Sequence, residues 1–157
     1  MKERKILTYK AKVAEEKIAL QTLKDCHQFL ETKLGVKTSL SVEKIKFSKK
    51  HPAFNIGGLY NEKNNIICIN LYTLKGQNIL RSIEILAHEF RHAVQFKNKW
   101  LKGGTPKKDY TGYWKGKKYN VGYYDSPWEI DARKYEDIYA KSAIDSLNLK
   151  RKSNIKI

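Results

Sequence analysis

Cysteine is scarce in this chain, and long apolar runs are absent. Two cysteines, Cys26 and Cys68, cannot build a disulfide framework and do not form a CxxC pair, so we expect a reducing, cytoplasmic setting. No segment approaches the length of a membrane span, and the charged start Met1–Lys5 lacks the apolar core of a secretory signal. No repeat divides the 157 residues, which predicts a single domain over residues 1–157 with one core.

Acidic residues are also few. The 16 Asp and Glu stand against 32 Lys and Arg, a formal charge of +16. A field of this sign attracts nucleic acid or acidic proteins without specifying either. A lysine-rich surface that reflects the codons of an AT-rich genome explains the charge equally well. Nonspecific association with nucleic acid is therefore compatible with the composition, which specifies no oligomeric state.

One short stretch indicates a chemistry. Residues 87–92 read Ala-His-Glu-Phe-Arg-His and contain an HExxH pattern. A helix turns about 100° per residue, so His88 and His92 lie about 40° apart on one face. Two such imidazoles can occupy two corners of a tetrahedral Zn²⁺ site, and Glu89 can accept a proton from metal-bound water. The pattern predicts His88 and His92 as metal ligands and Glu89 as a general base.

The residues around this pattern predict a helix. Glycine and proline are absent from Arg81 to Asn98. The apolar residues of the stretch share one helical face: Ile83, Leu86, Ala87, Phe90 and Val94. Ile85 and Phe96 fall on the side that carries the histidines, which predicts that this side is covered too. The competing interpretation, a surface helix with two histidines spaced by chance, does not account for these two apolar residues.

The third metal ligand has to come from another part of the chain. No histidine follows His92, so a downstream carboxylate is expected. Glu129 is the strongest candidate, because Ser126-Pro127 predicts a capped helix start that places Glu129 in the first turn. Ala132, on the same face, is small enough to let another helix approach. A glutamate favoured by the helix dipole is the competing interpretation.

Other ligands stay open at this point. Asp125 is the fallback, and Asp109 and the upstream His27 and His51 are further options. Asp131 lies about 160° away from Glu129 around the predicted helix, so these two carboxylates cannot share one metal ion.

The fold class predicted is α+β: an N-terminal helix, a small, mostly antiparallel sheet, the HExxH helix and a C-terminal helix that supplies the third ligand. Arg4–Leu34 is predicted to be helical and to end at Gly35. Ser41–Ser48 alternates as a strand does, and Asn55–Tyr60 and Asn65–Tyr72 flank a turn-rich insert and predict a hairpin.

Lys102–Tyr124 is rich in glycine, lysine and aromatic residues, which predicts a loop or short hairpin between the two ligand-bearing helices. Its aromatic side chains can cover the edge of the core, wall a peptide cleft or stack on the bases of a single strand. The last helix is predicted from Pro127 to about Leu147, and the basic tail 150–157 is expected to fray.

The stretch Ile85–Gln95, preceded by a strand and followed by Pro127–Ala132, resembles the small gluzincin-type zincin metallopeptidases. In size and layout the chain is most similar to the IrrE/ImmA-type proteins of bacteria, phages and mobile elements. The resemblance covers roughly Gly57 to Ala143. It implies a zincin-like fold in which the strand before the motif helix, here Ile66–Leu71, forms the edge of the cleft. A peptide can pair with such an edge in extended form.

The same resemblance implies zinc on His88, His92 and Glu129, with Glu89 as general base. The function expected is a zinc metallopeptidase that hydrolyses a protein or peptide substrate. One departure from the family is the charged Arg91, at a position that zincins usually keep uncharged. The donor that stabilises the oxyanion is open among four residues: Tyr119, Tyr123, Tyr124 and Arg91.

Two other functions remain open. One is a basic nucleic-acid-binding protein in which zinc is structural or vestigial. The other is a SprT-like protease that acts on DNA-bound proteins, which the +16 charge suits. That family usually supplies a third histidine, and this chain has none downstream of His92.

Overall fold

A computed structural model of the protein describes residues 2–43, 57–70, 79–103 and 110–155, with side chains over 17–42, 57–70, 79–103 and 110–148. Within these ranges the chain forms four helices and two three-stranded sheets, which confirms the α+β class. The sequence predicted one sheet rather than two. In chain order the elements are α1 (Lys2–Leu34), β1 (Ser39–Glu43), β2 (Gly58–Asn61), β3 (Ile66–Asn70), α2 (Ile79–Lys97), β4 (Leu101–Gly103), β5 (Gly112–Trp114), β6 (Lys117–Tyr119), α3 (Gly122–Asp125) and α4 (Pro127–Ile155).

β3 is the central strand of the first sheet. It pairs in parallel with β1 and antiparallel with β2. The hairpin β2–β3 is confirmed, and the Asn61 side chain closes its turn by accepting hydrogen bonds from the backbone of Lys63 and Asn64. The expectation that the strand at Ile66–Leu71 forms the edge of the cleft is wrong, because both sides of β3 are paired. Among the described strands, β2 is the edge strand that contacts α2.

Several predicted boundaries shift. β1 starts at Ser39, and residues 44–48 of that predicted strand lie outside the described residues, as do 55–56 and 71–72 of the predicted hairpin. α1 ends at Leu34 as predicted, followed by Gly35 with a φ of 65°, a left-handed conformation that glycine adopts at little cost. α4 runs to Ile155 rather than ending near Leu147. The fraying of the tail 150–157 stays a prediction.

The apolar stripe of α2 lies in the core. All five predicted residues are buried there: Ile83, Leu86, Ala87, Phe90 and Val94. They belong to one cluster with side chains of α1, β3 and α4. The contact between α2 and α4 is the most extensive between any two elements, and Ala132 is fully buried. Small residues permit this close approach, so the two helices predicted to carry ligands lie side by side.

The insert between α2 and α4 forms the second sheet. β4, β5 and β6 pair antiparallel in chain order, where the sequence predicted a loop or short hairpin. Lys115 and Gly116 turn the chain between β5 and β6 with φ of 50° and 87°, the left-handed pair that a tight hairpin favours. Trp100 and Trp114 meet edge to face at 6.2 Å. Part of the aromatic set thus packs against the protein, while Tyr113 remains exposed.

Two general expectations bear on the setting of the protein. Cys26 and Cys68 are not joined by a disulfide, as predicted. None of the helices in the described part of the chain is both long enough and apolar enough to cross a bilayer.

Arg91 joins α2 to α4 through a buried polar contact. Its Nε and Nη2 donate to Asp131 at 2.7 and 3.1 Å, and its Nη1 donates to the Tyr139 hydroxyl at 2.7 Å. The guanidinium also lies 3.6 Å from the ring centroid of Tyr135. Only 7% of Arg91 is exposed. The charge of Arg91 is therefore used to hold the two helices together.

Arg91→Met is expected to lower the free energy of unfolding by about 2–4 kcal/mol, because it leaves the carboxylate of Asp131 without its bidentate partner. Denaturation in urea measures the change. Arg81→Met is the matched control, since Arg81 is exposed and its pair with Glu84 at 3.0 Å should contribute less than about 1 kcal/mol. Equal losses in the two variants would contradict a stabilising role for Arg91.

Candidate metal centre

His88 and His92 lie one turn apart on the face of α2 that meets α4. Their ring centroids are 5.0 Å apart, with the ring planes at 77°. The His88 side chain is 13% exposed and that of His92 is 10% exposed. The interpretation as a solvent-exposed helix with two histidines spaced by chance is therefore wrong.

Glu129, in the first turn of α4, lies between the two imidazoles. Its Oε2 accepts a hydrogen bond from His88 Nε2 at 2.9 Å, and its Oε1 lies 3.0 Å from His92 Nε2. Only 6% of Glu129 is exposed. Within the described residues, these three form the one group of His, Cys, Asp and Glu side chains that can hold a metal ion. The structure thus brings together the three residues predicted as ligands.

The start of α4 places Glu129, though the details differ from the predicted cap. The helix begins at Pro127, and the Ser126 carbonyl accepts from the backbone N–H of Glu129 at 3.1 Å. The Ser126 hydroxyl donates to the carbonyl of Tyr123 at 2.9 Å, so it ties the helix start to α3. Ser126 is fully buried, which makes the position of Glu129 part of a packed structure.

Gln95 sets the orientation of His92. Its side-chain oxygen lies 2.8 Å from His92 Nδ1, while its nitrogen donates to the carbonyl of Trp128 at 2.9 Å and to Asp131 Oδ2 at 2.8 Å. Because the amide nitrogen has these two acceptors, the amide oxygen faces the imidazole and accepts from Nδ1–H. His92 Nε2 is then the atom that faces Glu129, as a metal ligand requires.

Glu136 has a comparable place beside His88. Its Oε2 lies 3.8 Å from His88 Nδ1 and 3.8 Å from Arg81 Nη1. Burial raises the pKa of Glu136, and the charges of His88 and Arg81 partly offset that increase. A carboxylate on the far nitrogen of a ligating histidine is a common support in metal sites. Each histidine therefore has the Glu129 carboxylate at its Nε2, while Nδ1 is hydrogen-bonded in His92 and only near a carboxylate in His88.

Glu89 lies against the edge strand β2. Its carboxylate accepts a hydrogen bond from the backbone N–H of Tyr60. A Cβ at Gly58 would lie 2.6 Å from Ile85 Cγ2 and 3.4 Å from Glu89 Cγ, so the absence of a side chain there lets β2 approach α2. Phe96 packs on Tyr60 with ring centroids 5.8 Å apart. The prediction that Ile85 and Phe96 lie under a cover is confirmed, and β2 is that cover.

The charges of the cluster are strongly coupled. Burial by itself would raise the pKa of Glu129, but hydrogen bonds from His88 and His92 and their charges lower it to about 2. Burial would lower the pKa of His92, but the hydrogen bond and charge of Glu129, with the charge of Glu89, raise it to about 9. Burial raises the pKa of Glu89, and the charges of both histidines offset only part of that increase. The cluster is thus built to stabilise positive charge beside Glu129.

These side chains fit a divalent cation of the zinc type. Two imidazole nitrogens and one carboxylate oxygen are the donor set of many catalytic zinc sites, and they leave a fourth tetrahedral position open. Donors at zinc bonding distance lie roughly 3.3–3.6 Å from one another, so the present nitrogen–oxygen separations of 2.9 and 3.0 Å have to open by only roughly half an ångström. The donor set does not by itself identify the metal.

Of the four residues considered as oxyanion donors, Tyr123 is the one that contacts the cluster. Burial raises the pKa of the Tyr123 hydroxyl, and so do the nearby charges of Glu129 and Glu89. Arg91 is occupied by Asp131 and Tyr139. The other two tyrosines contact basic side chains: Lys117 lies over Tyr119, and Arg133 lies over Tyr124.

The alternative ligands are placed elsewhere or lie outside the described residues. His27 is on α1, where its Nε2 lies 2.7 Å from the Thr38 hydroxyl and its ring contacts Phe90 on the core side of α2. Asp125 is exposed. Asp131 pairs with Arg91 and is not part of the three-residue group, in agreement with the prediction that it cannot share a metal ion with Glu129. His51 and Asp109 belong to segments that are not described.

Sequence reasoning missed the residues that support the cluster: Gln95, Glu136, Gly58 and Tyr60. Two of them carried a signal. Gln95 lies about 20° from His88 around α2, and Glu136 follows Glu129 by seven residues, also about 20° away on the same face. Gly58 and Tyr60 reach the site only because β2 packs across α2, and no local pattern indicates that contact.

Comparison of the chain with family models, with curated proteins and with solved structures gives no match in any of the three.

Proposed function

We propose that this protein is a zinc metallopeptidase of the zincin type, with His88, His92 and Glu129 as ligands. The observation that carries the proposal is that Glu129 lies within reach of both histidines of the HExxH helix. Glu89 directly follows the first of these histidines in the sequence. A catalytic zinc site needs three protein ligands and an open position, and this donor set meets that need. The choice of a glutamate from a later helix corresponds to the gluzincin branch that the sequence resembles.

The metal and Glu89 have separate parts in the proposed reaction. When bound by the three side chains, Zn²⁺ supplies a Lewis acid that acidifies water and polarises a carbonyl group. Glu89 takes up the proton that the attacking water loses and passes it to the leaving amine. Because burial raises the pKa of Glu89, its carboxylate is a stronger base than an exposed glutamate.

The proposed substrate is an extended peptide that pairs with the edge strand β2. The carbonyl of Gly57 accepts from the backbone of Asn70 in β3 at 2.8 Å, so the alternation of an antiparallel pair turns the backbone groups of Gly58 and Tyr60 away from β3. That outer edge runs along Glu89, which accepts from Tyr60 N–H. A strand added there gains main-chain hydrogen bonds from outward backbone groups of β2 other than the Tyr60 N–H, with its scissile bond next to the general base.

Tyr123 is the proposed donor to the developing oxyanion. Tyr123→Phe removes only the hydroxyl and is expected to lower kcat roughly 10²–10³-fold, the usual cost of losing one such donor, with zinc content unchanged. Tyr124→Phe is the matched control, because the neighbouring hydroxyl belongs to a ring stacked on Arg133. Equal rates for Tyr123→Phe and the parent protein would remove Tyr123 from the reaction.

The experiment that tests the function combines metal analysis with cleavage. Protein loaded with zinc and desalted should hold one equivalent of zinc by elemental mass spectrometry. A peptide library, read by mass spectrometry, should show cleavage that chelation abolishes and added zinc restores. A protein that never retains stoichiometric metal contradicts the proposed site. Zinc-replete protein that leaves every library peptide intact contradicts the peptidase assignment.

The cellular setting is part of the proposal. Two cysteines that form no disulfide suit a reducing compartment, so we place the protein in the cytoplasm. Fractionation of expressing cells, followed by detection of the chain, tests this placement.

A further inference from the structure

The second sheet and its flanks concentrate positive charge and aromatic rings. The described residues 97–103 and 110–120 contain no aspartate or glutamate. Their basic residues are Lys97, Lys99, Lys102, Lys115, Lys117 and Lys118, and their aromatic residues are Trp100, Tyr110, Tyr113, Trp114 and Tyr119. The charge of the chain is therefore not spread evenly, because the described residues of this segment include six lysines and no acidic residue.

The strand register places three of these residues in one row across the sheet. Lys102 of β4 is paired with Tyr113 of β5, which is paired with Lys118 of β6. Directly paired residues point to the same face, and all three are exposed, with Tyr113 at 47%. The neighbouring row begins with Leu101, which is 3% exposed, so the opposite face is the packed one. The outward face thus presents a tyrosine ring on the central strand with a lysine on each side.

We propose that this outward face, defined by Lys102, Tyr113 and Lys118, binds single-stranded nucleic acid. Adjacent strands are about 4.8 Å apart, so the two lysine backbones are roughly 10 Å apart across the tyrosine. Lysine side chains at this spacing can reach successive phosphates while an unpaired base stacks on the ring between them. Stacking platforms flanked by cations are the general means by which proteins hold single strands without reading sequence.

The same features favour a single strand over other polyanions. The bases of a duplex are stacked on each other, so a duplex gains phosphate contacts but no contact with the ring of Tyr113. An anionic membrane surface offers phosphates but no flat partner for that ring, and the row has no apolar side chain to insert. A duplex and an anionic membrane would still be attracted by the lysines. The preference for a single strand therefore depends on the ring of Tyr113.

This face is linked physically to the metal centre. Trp100, which precedes β4, lies 5.3 Å from the Arg91 guanidinium, and Tyr110, which precedes β5, meets Tyr123 edge to face at 5.5 Å. These contacts anchor the sheet that carries the face, while the face itself points away from the packed side. The binding itself requires neither zinc nor hydrolysis, so it can be tested independently of the proposed peptidase activity.

Fluorescence anisotropy with labelled 20-nucleotide oligothymidylate, oligouridylate and a duplex of the same length tests the proposal on the full chain. The single strands should bind more tightly than the duplex, although charge density alone favours the duplex. Tyr113→Ala should weaken single-strand binding roughly 5- to 150-fold, the range for one lost stacking contact, and Tyr113→Phe should retain it. Tyr124→Ala, at an exposed tyrosine of another element, is the matched control and should leave affinity unchanged.

The lysines are tested by the salt dependence of the same binding. Lys102→Gln with Lys118→Gln should reduce the slope of log affinity against log salt by about 1.4, which is about 0.7 for each phosphate contact. Lys17→Gln with Lys141→Gln removes equal charge from exposed helical positions and should change the slope less. Preference for the duplex, insensitivity to Tyr113→Ala, or equal effects of the two lysine pairs would each overturn the proposal. Binding of the chain to phosphatidylserine vesicles is measured alongside. If Tyr113→Ala lost binding to these vesicles and kept its affinity for the single strands, the proposal would also be overturned.

Discussion

Replacing Glu89 with glutamine is expected to leave zinc bound and to lower peptide hydrolysis by roughly 10²–10⁴-fold, the range for loss of a general base. Glutamine has nearly the same shape, and its amide oxygen can still accept from the backbone N–H of Tyr60. The variant therefore loses proton uptake and little of the packing against β2. Measurement of kcat/KM on a cleaved library peptide, together with zinc content, separates the chemical step from metal binding.

The control for this substitution is Glu84→Gln, five residues earlier on α2. Glu84 is paired with the exposed Arg81 and takes no part in the cluster, so its neutralisation should leave kcat/KM near the parent value. Undiminished turnover in Glu89→Gln would show that another group accepts the proton. Loss of zinc from Glu89→Gln would instead mean that Glu89 belongs to the metal site itself.

Removing the Glu129 carboxylate is expected to have a large effect on metal binding. Glu129→Ala leaves two imidazoles, so zinc affinity should fall by more than the roughly 10–100-fold that loss of a supporting group causes. His88→Ala and His92→Ala should lower zinc affinity to a similar extent. Glu129→Asp should partly restore zinc binding only if the shorter side chain can still reach the metal ion. Competition with a chromogenic chelator measures each affinity.

Two carboxylates near Glu129 provide the comparison. Asp125→Ala should keep full zinc affinity, since Asp125 is exposed and was only the fallback ligand. The zinc affinity of Glu136→Gln should lie between those of Glu129→Ala and Asp125→Ala. Glu136 lies near the Nδ1 atom of His88 but does not belong to the three-residue group. Full zinc retention by Glu129→Ala, or zinc loss from Asp125→Ala, would contradict Glu129 as the third ligand.

Local sequence patterns were sufficient for the three long helices, for the hairpin β2–β3 and for the HExxH part of the site. The placement of His88, His92 and Glu89 follows from helix geometry alone, because residues four apart must share a face. The apolar stripe on α2 predicted which side is buried, and the absence of any histidine after His92 reduced the downstream candidates to carboxylates. Gly35 marked the end of α1 for an equally local reason.

Local patterns were not sufficient to identify Glu129 as the third member of the cluster. Ser126 and Pro127 predicted the helix start, and the burial of Ala132 confirms that another helix packs on that face. The sequence still left Asp125, Asp109 and two upstream histidines open, because the approach of α4 to α2 depends on side chains from both helices. Arg91 illustrates the same limit: nothing local explains a charge on the buried side of α2, and its partners Asp131 and Tyr139 lie on another helix.

The sequence by itself determined the α+β class, the HExxH helix with its buried stripe, and the placement of two histidines on one face beside Glu89, since each follows from local patterns of residues. Tertiary structure alone decided that Glu129 lies between His88 and His92, that β2 rather than β3 is the edge strand beside Glu89, and that Tyr113 stands between two lysines. The physical reason is that these contacts join segments far apart in the chain. Their formation depends on the summed packing of α2, α4 and both sheets, which no single stretch of residues encodes.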